Sequence, residues 1–113
     1  MIGFNPSAPL FLYRNATDMR KGFNGLIGLI RNEMGMNPLD GTYVFLNRSR
    51  RLMKLLVWDR HGYWLHYKRL DQGCFQRPIC PNSELSYDQL FMMLEGIDLS
   101  SVRRRKRYKK EMV

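Results

Sequence analysis

The sequence predicts an α+β fold, in which a four-stranded antiparallel meander is packed with a glycine-bearing N-terminal helix and a short C-terminal helix. Three observations indicate it: an apolar stripe at helical spacing before residue 35, β-forming segments with short turns over 43–76, and a helix-capping pattern at Ser86. The 113 residues are enough for one hydrophobic core and not for two. We therefore expect a single domain over 1–100, followed by a basic, disordered tail over 101–113.

The N-terminal helix is predicted to start at Thr17-Asp18 and to stop at Gly35, shortly before the Asn37-Pro38 pair. Its apolar stripe comprises Met19, Phe23, Leu26, Ile27, Ile30 and Met34. One side carries three glycines, each of which costs a helix about 1 kcal/mol relative to alanine: Gly22, Gly25 and Gly28. We expect this side to pack tightly on the sheet. A phosphate-contacting face beside Arg20-Lys21 is the less favoured alternative.

The centre of the predicted sheet is a hairpin over 52–70. Its first strand is nearly all apolar and its second is rich in aromatics, and both compositions favour a half-buried sheet. The four residues 59–62 connect the strands, with an aspartate that suits a type I turn and Gly62 suited to a positive φ. A bulge at Gly62 would slip the register by one residue. Without a bulge, three pairs face each other: Trp58 and Tyr63, Leu56 and Leu65, and Lys54 and Tyr67.

Shorter segments complete the predicted sheet. Residues 43–46 form the strand before the hairpin, and the turn over 47–51 joins the two. Residues 74–76 are predicted as a short fourth strand, which makes the antiparallel meander. Residues 10–13 are short enough to form an edge strand.

The C-terminal helix has the best-marked start in the chain. Ser86 and Gln89 have the spacing of a capping box, flanked by Leu85 and Leu90 as a hydrophobic staple. Gly96 is suited to end this helix.

Basic residues exceed acidic ones and concentrate in the tail. The chain has 19 Lys and Arg against 10 Asp and Glu, a net charge of +9. The tail over 101–113 holds seven cations and one acid, which gives it a net charge of +6. This distribution favours a polyanionic partner, with nucleic acid ranked before a membrane surface.

The sequence has no apolar run near the roughly 18 residues of a spanning helix, and its N-terminus lacks the pattern of a secretion signal. We therefore expect a cytoplasmic protein, associated with the nucleoid if it binds DNA. In that compartment Cys74 and Cys80 are expected to be free thiols.

Catalysis and metal binding have little support in the sequence. Zinc-ligand residue types occur with the spacing H-x4-H-x7-C-x5-C, which matches no compact zinc pattern: His61, His66, Cys74 and Cys80. A magnesium site needs clustered carboxylates, whereas the aspartates are scattered over predicted caps and turns: Asp18, Asp40, Asp59 and Asp71. Neither cysteine has a sequence cue for an activating base. We expect no enzyme activity, no metal and no cofactor.

Nucleic-acid binding has more support, because cations cluster at one edge of the predicted sheet. In a meander, the turn over 47–51 and the end of the strand over 63–69 meet at the same edge, since adjacent strands run in opposite directions. The predicted patch comprises Arg48, Arg50, Arg51, Lys54, Lys68 and Arg69. The tail adds Arg103, Arg104, Arg105, Lys106, Arg107, Lys109 and Lys110.

Aromatic residues lie near this patch in the sequence. Trp64 or Tyr67 would be placed to stack on bases. The alternative, which we favour, is that the aromatic residues are packed in the protein, with Trp58 in the core.

Three long motifs resemble one protein family. They are TDMRKGFNGL at 17–26, FLNRSRRLMKLLVWDRHGYWLHYKRLDQGCF at 45–75, and LEGIDL followed by RRRKRY at 94–108. In this order they are similar to the small accessory protein, TnpB or second-reading-frame type, of the IS66 insertion-sequence group. The resemblance is collinear from about Leu10 to about Tyr108.

The resemblance implies a bacterial transposon protein that is encoded beside a separate DDE-type transposase and is needed with it for transposition. It implies no established catalytic activity. We therefore expect a non-catalytic accessory factor that contacts DNA, the transposase or both. The alternative is an adaptor that docks on an acidic partner protein without binding DNA. The sequence leaves the oligomeric state open.

Overall fold

The computed structural model describes residues 7–95 and the backbone of 97–98 and 103–104. Two short 3-10 turns, Pro38–Asp40 and Pro81–Ser83, lie between the regular elements. The helices and strands follow in the order β1 (Leu10–Leu12), α1 (Phe23–Asn32), β2 (Thr42–Leu46), β3 (Leu52–Trp58), β4 (Tyr63–Arg69), β5 (Glu84–Leu85), α2 (Tyr87–Glu95), β6 (Ile97–Asp98) and β7 (Arg103–Arg104).

The main sheet has five strands in the order β4-β3-β2-β1-β5. The antiparallel pairing of β2, β3 and β4 confirms three strands of the predicted meander. The remainder of the meander is wrong, because β1 lies inside the sheet, parallel to β2 and antiparallel to β5. The fold is α+β with a mixed sheet. A separate two-stranded ladder joins β6 to β7.

β1 is an inner strand and not the predicted edge strand, because β5 pairs on its other side, and the chain from β1 to β2 explains why these two strands are parallel. Parallel neighbours need a long crossover connection, and α1 lies within the crossover here. β1 contributes Leu10 and Leu12, which are 1% and 3% exposed, so its short apolar run belongs to the core.

The predicted strand over 74–76 is also wrong. These residues form no strand, although Phe75 is fully buried and its N–H donates to the carbonyl oxygen of Arg50 at 2.6 Å. Burial of the Phe75 ring and this hydrogen bond hold the segment against the sheet, and β5 supplies the further strand instead.

The helix α1 covers one face of the sheet. Leu26 and Ile30 are fully buried against Tyr43, Phe45 and Leu56, which project from β2 and β3. Fully burying one such aliphatic side chain stabilises a fold by about 1.5–3 kcal/mol. The helix begins at Phe23, later than predicted, and ends at Asn32, shortly before the predicted stop at Gly35, which has a φ of 65°.

The prediction that the glycines of α1 pack on the sheet is wrong. A Cβ atom added to Gly22 would meet no atom within 4 Å, and one added to Gly28 would meet only Asn32 of the same helix, at 4.0 Å. The three atoms nearest to a Cβ atom on Gly25 all belong to the side chain of Lys21. The glycine side of α1 therefore faces away from the sheet.

The helix α2 covers the opposite face, where Leu90 and Met93 are fully buried. The predicted capping box is confirmed: Gln89 N–H donates to Ser86 Oγ at 3.1 Å, and Ser86 N–H donates to Gln89 Oε1 at 2.9 Å. Leu85 and Leu90 join the same buried cluster, as the staple requires.

The register of the central hairpin is as predicted, with Trp58 opposite Tyr63, Leu56 opposite Leu65 and Lys54 opposite Tyr67. The turn differs in one respect, because the positive φ falls on Arg60, at 81°, and not on Gly62. A bulge is therefore not needed to close this turn.

Candidate nucleic-acid interface

Several strand ends bring basic segments to one end of the main sheet. The parallel strands β1 and β2 both end there, β3 begins there and β4 ends there. Backbone bonds tie the flanking segments to the same end, from Thr17 N–H to the Leu46 carbonyl and from Leu70 N–H to the Arg51 carbonyl. We call this the basic end, and its cations are Arg14, Arg48, Arg50, Arg51, Lys68, Arg69 and Arg77.

The turn between β2 and β3 is held by one asparagine. Asn47 Oδ1 accepts hydrogen bonds from the backbone N–H groups of Arg51, at 3.1 Å, and Leu52, at 3.0 Å. Arg50 adopts a left-handed conformation with φ of 59°. Arg48 is exposed and, within the described residues, its side chain makes no hydrogen bond or ion pair. The turn therefore presents Arg48 from a rigid backbone.

Arg51 and Arg69 are partly engaged in local structure. The Nη2 atom of Arg51 donates to the carbonyl oxygens of Leu70, at 3.3 Å, and Asp71, at 2.7 Å. Arg69 lies 3.4 Å from an Asp71 carboxylate oxygen in an exposed ion pair. Exposed pairs of this kind contribute about 0–1 kcal/mol, so Arg69 keeps most of its capacity for another anion.

Lys68 links the end of β4 to α2. Its Nζ atom donates to the carbonyl oxygen of Leu94 at 3.2 Å, in the last turn of the helix. A cation there interacts favourably with the unpaired carbonyl groups of a helix C-terminus. The side chain is exposed nonetheless.

Lys54 does not belong to the exposed patch in which the sequence placed it. Its side chain is 6% exposed, and Nζ donates to the carbonyl oxygens of Met19, at 2.7 Å, and Lys21, at 2.8 Å. The residue lies on the α1 face of β3, where it fastens the segment that leads into α1. This correction removes one cation from the predicted patch.

Arg14 and Arg77 belong to the basic end but were not predicted. Arg14 follows β1, and Arg77 donates from Nη1 to the carbonyl oxygen of Tyr13 at 3.1 Å. Neither lies in a run of cations, so the sequence has no local signal for them. Only the parallel pairing of β1 with β2 brings them to this end.

The aromatic residues near the hairpin differ in exposure. Tyr67 is 56% exposed and lies toward the basic end of β4. Trp64 is 39% exposed but lies toward the opposite end, where Nε1 donates to Asp59 Oδ2 at 2.6 Å. Trp58, predicted to lie in the core, is half-buried instead, and its ring centre lies 5.0 Å from that of Tyr63.

The turn aspartate has a structural role. Asp59 Oδ1 accepts from the N–H groups of His61, at 3.0 Å, and Gly62, at 2.9 Å. The His61 N–H bond, the Trp64 bond and the Gly62 bond together lower the pKa of Asp59 below its ordinary value. The ionised carboxylate of Asp59 therefore stabilises the turn.

Other reactive residue types do not converge. Within the described residues, no group of three or more His, Cys, Asp or Glu side chains is arranged to hold a metal ion. Cys74 and Cys80 are not joined in a disulfide, as predicted, and burial raises the pKa of Cys80. In the described ranges, none of the helices combines the length and apolar character of a bilayer-spanning segment.

Most of the basic tail lies outside the described residues. The structure gives the backbone of Arg103 and Arg104, in β7, opposite Asp98 and Ile97 of β6. The boundary predicted between 1–100 and 101–113 stays a prediction. The tail cations that lie outside the described residues are Arg105, Lys106, Arg107, Lys109 and Lys110.

Comparison with known proteins identifies the family. A family model described as IS66 Orf2 like protein matches residues 8–104. An uncharacterized protein, y4hO, of Sinorhizobium fredii is 40% identical over 101 residues, which cover 87% of this chain and 88% of that protein. A second uncharacterized protein of the same organism, y4jC, is 28% identical over 109 residues, covering 93% and 92%. No solved structure matches significantly. The chain belongs to the IS66 Orf2-like family, a family of accessory proteins associated with insertion sequences.

Proposed function

We propose that this protein is a non-catalytic accessory factor in the transposition of its insertion sequence, and that it contacts DNA through its basic end and its basic tail. The family supports the link with transposition. DNA contact rests on the excess of cations at the basic end, where Asp18 and Asp71 are already paired with Arg20 and Arg69. Cations without acidic partners on a rigid surface attract a polyanion and gain from counterion release.

The basic end and the tail have different parts in this proposal. The turn that carries Arg48 and Arg50 is held by hydrogen bonds that Asn47 Oδ1 accepts, so its cations lose little conformational freedom on binding. Such contacts fix the orientation of a duplex, whereas the charge of the tail adds affinity that does not depend on sequence.

The test is DNA affinity measured by fluorescence anisotropy over a series of salt concentrations, with a duplex from the end of the element and a scrambled duplex. The first variant is Arg48→Gln/Arg50→Gln at the basic end. The matched control, Arg31→Gln/Arg60→Gln, removes two charges from exposed positions at the opposite end of the sheet. Each pair contains one left-handed arginine, so backbone effects are matched as well.

We expect the basic-end variant to bind more weakly and to flatten the slope of log K against log salt by about 1.8, since each lost phosphate contact contributes about 0.9. The control should keep the slope of the unmodified protein. Equal slopes for the two variants, with both folded by circular dichroism, would mean that the basic end does not contact DNA.

Transposition in cells provides the functional measurement. A marked element that carries Arg48→Gln/Arg50→Gln should transpose less often than one that carries the control pair. If the two elements transpose equally often, DNA contact at the basic end is not needed for transposition.

A second candidate function, docking on the transposase without DNA, is favoured by the open edge of β4. In the described part of the chain, β4 has a neighbouring strand on one side only. The bond from Leu70 to Arg51 and the bond from Asp59 to Gly62 fix which residues face β3. By alternation, the N–H and C=O groups of Tyr63, Leu65, Tyr67 and Arg69 point outward, where a partner strand can pair.

Leu65→Pro tests this candidate, because it removes an outward N–H group without removing a bond to β3. Loss of transposase co-purification with DNA affinity unchanged would favour docking through β4. The Leu65→Ala variant, which keeps the outward N–H group, controls for loss of the leucine side chain.

A further inference from the structure

A cleft lies beside the end of β1, at the basic end. It has a volume of about 450 Å³ and is lined in part by Arg14, Arg77, Cys80, Asn82 and Ser83. None of its lining residues is acidic. Two guanidinium groups, an amide and a hydroxyl are the donor types that bind phosphate oxygens.

The guanidinium of Arg77 is held in place inside this cleft. Its Nη1 atom donates to the Tyr13 carbonyl at 3.1 Å, and the side chain is half-buried. Within the described residues, no carboxylate lies within ion-pair distance of it. A half-buried charge without a counter-ion is unfavourable, and the fixed planar fork of an arginine suits an oxyanion.

The electrostatic surroundings of Arg77 agree with this geometry. Burial and the positive charge of Arg50 both lower the pKa of Arg77. Burial raises the pKa of Cys80, so its thiol is neutral at pH 7 and does not repel an anion. An anion in the cleft would offset the desolvation of Arg77 and its repulsion from Arg50.

Two neighbouring residues that line the cleft have a strained backbone. Asn82 and Ser83 both have positive φ, at 57° and 64°, although neither is glycine. Residues other than glycine are strained in this conformation, and such strain is often found at ligand sites. Here the strain falls on two residues that line the cleft.

We infer that this cleft binds a backbone phosphate of DNA, which Arg14 and Arg77 grip while Asn82 and Ser83 complete the ring of donors. The inference rests on the proposed function and extends it, because it names the point at which the duplex is fixed. A phosphate contact sets position and orientation and carries no sequence information. The cleft therefore binds matched and scrambled duplexes alike.

The experiment uses the whole 113-residue chain and a fluorescein-labelled 20-base-pair duplex, again over a salt series. Arg14→Gln changes an exposed residue and should flatten the slope of log K against log salt by about 0.9, equally for the element end and the scrambled duplex. Arg77→Lys keeps the charge but loses the fork, and we expect it to weaken binding about tenfold. Arg31→Gln is the control, with the same charge change at the opposite end of the sheet.

The possible results separate the cleft from the function on which it rests. If the unmodified protein binds the duplex but Arg14→Gln and Arg77→Lys bind as Arg31→Gln does, the cleft inference is overturned and the proposed function stands. If the unmodified protein binds no duplex, the proposed function is wrong, and so is the inference that a DNA phosphate binds in the cleft.

Inorganic phosphate provides an independent arm, since it tests the same chemistry without DNA. At constant ionic strength it should raise the Tm of the unmodified protein more than that of Arg77→Lys, and it should compete with the duplex. A Tm increase without competition would mean that the cleft binds free phosphate, and this would overturn its assignment to DNA.

Discussion

The ammonium nitrogen of Lys54 lies 4.7 Å from the centre of the Tyr67 ring, across the β3–β4 pair. The same nitrogen donates to the carbonyl oxygens of Met19 and Lys21, so one buried cation joins the sheet to the segment that leads into α1. Cation–π contact and two charge-assisted hydrogen bonds satisfy the charge without a carboxylate.

Lys54→Met should therefore destabilise the fold while leaving DNA affinity nearly unchanged. The substitution keeps the apolar volume but leaves two carbonyl oxygens without their donor, and we expect a loss of about 1–3 kcal/mol in the free energy of unfolding. Urea denaturation measures it. Tyr67→Leu removes the ring alone and should cost less, about 0.5–1 kcal/mol. If Lys54→Met unfolds like the unmodified protein and loses DNA affinity, the lysine is a ligand-binding residue after all.

The glycines of α1 should be replaceable. A Cβ atom on Gly28 enters open space except for Asn32 Nδ2 at 4.0 Å, so Gly28→Ala brings the better helix former without a clash. We expect a stabilisation of about 1 kcal/mol, measured as a higher denaturation midpoint. Unchanged DNA affinity would show that this side of α1 has no part in binding. A destabilised Gly28→Ala protein would mean that the side is covered.

The same substitution at Gly41 should have the opposite sign. An added Cβ atom would lie 2.9 Å from the Phe11 ring and 2.9 Å from the Pro9 carbonyl oxygen, which also accepts the Thr42 N–H. We expect Gly41→Ala to destabilise by about 1–3 kcal/mol, because β1 must shift from β2. A Gly41→Ala protein as stable as the unmodified one would contradict the close approach of Phe11 and Pro9 to this glycine.

The features that depend on neighbouring residues, the hairpin register and the capping box, were predicted correctly from the sequence. The hairpin register follows from alternation and a four-residue turn, and the capping box depends on two residues three apart. The sequence did not predict the parallel pairing of β1, because a crossover through α1 joins segments 30 residues apart. The place of Lys54 was missed for a related reason. From the sequence alone, a cation in a strand is expected to be exposed, because the backbone carbonyl groups that bind it are known only from the structure.

The thermal stability of the protein should fall at acid pH, because aspartates that stabilise the fold when ionised become protonated. Hydrogen bonds and charge from Arg20 lower the pKa of Asp18 from 3.8 to about 2, and N–H donors lower that of Asp59. A carboxyl group with a lowered folded pKa contributes stability that is present above its unfolded pKa and lost as the pH falls through the folded value. We expect the Tm to fall as the pH drops from about 4 toward 2.

The Asp59→Asn variant measures how much of the fall in Tm at acid pH comes from protonation of Asp59 in the turn. The variant should have a lower Tm at pH 7 and a shallower fall in Tm below pH 4, because it has no charge to lose there. If the Tm of Asp59→Asn lies below that of the unmodified protein by the same amount at every pH, ionisation of Asp59 does not stabilise the turn.

Arg50 and Arg60 offer a way to separate stability from binding. Both have positive φ, at 59° and 81°, where a glycine meets no steric penalty. Each change to glycine also raises the entropy of the unfolded chain, so the net stabilisation should be at most about 1 kcal/mol. The two residues lie at opposite ends of the sheet, in the turns before β3 and after it.

Arg60→Gly should therefore raise the Tm and leave DNA affinity unchanged, whereas Arg50→Gly should raise the Tm and lower the affinity. The slope of log K against log salt should fall by about 0.9 for Arg50→Gly alone, as expected for one lost phosphate contact. A Tm that rises with an affinity that falls cannot come from unfolding, so this pair isolates the charge from the fold. Equal affinities for the two glycine variants would remove Arg50 from the interface.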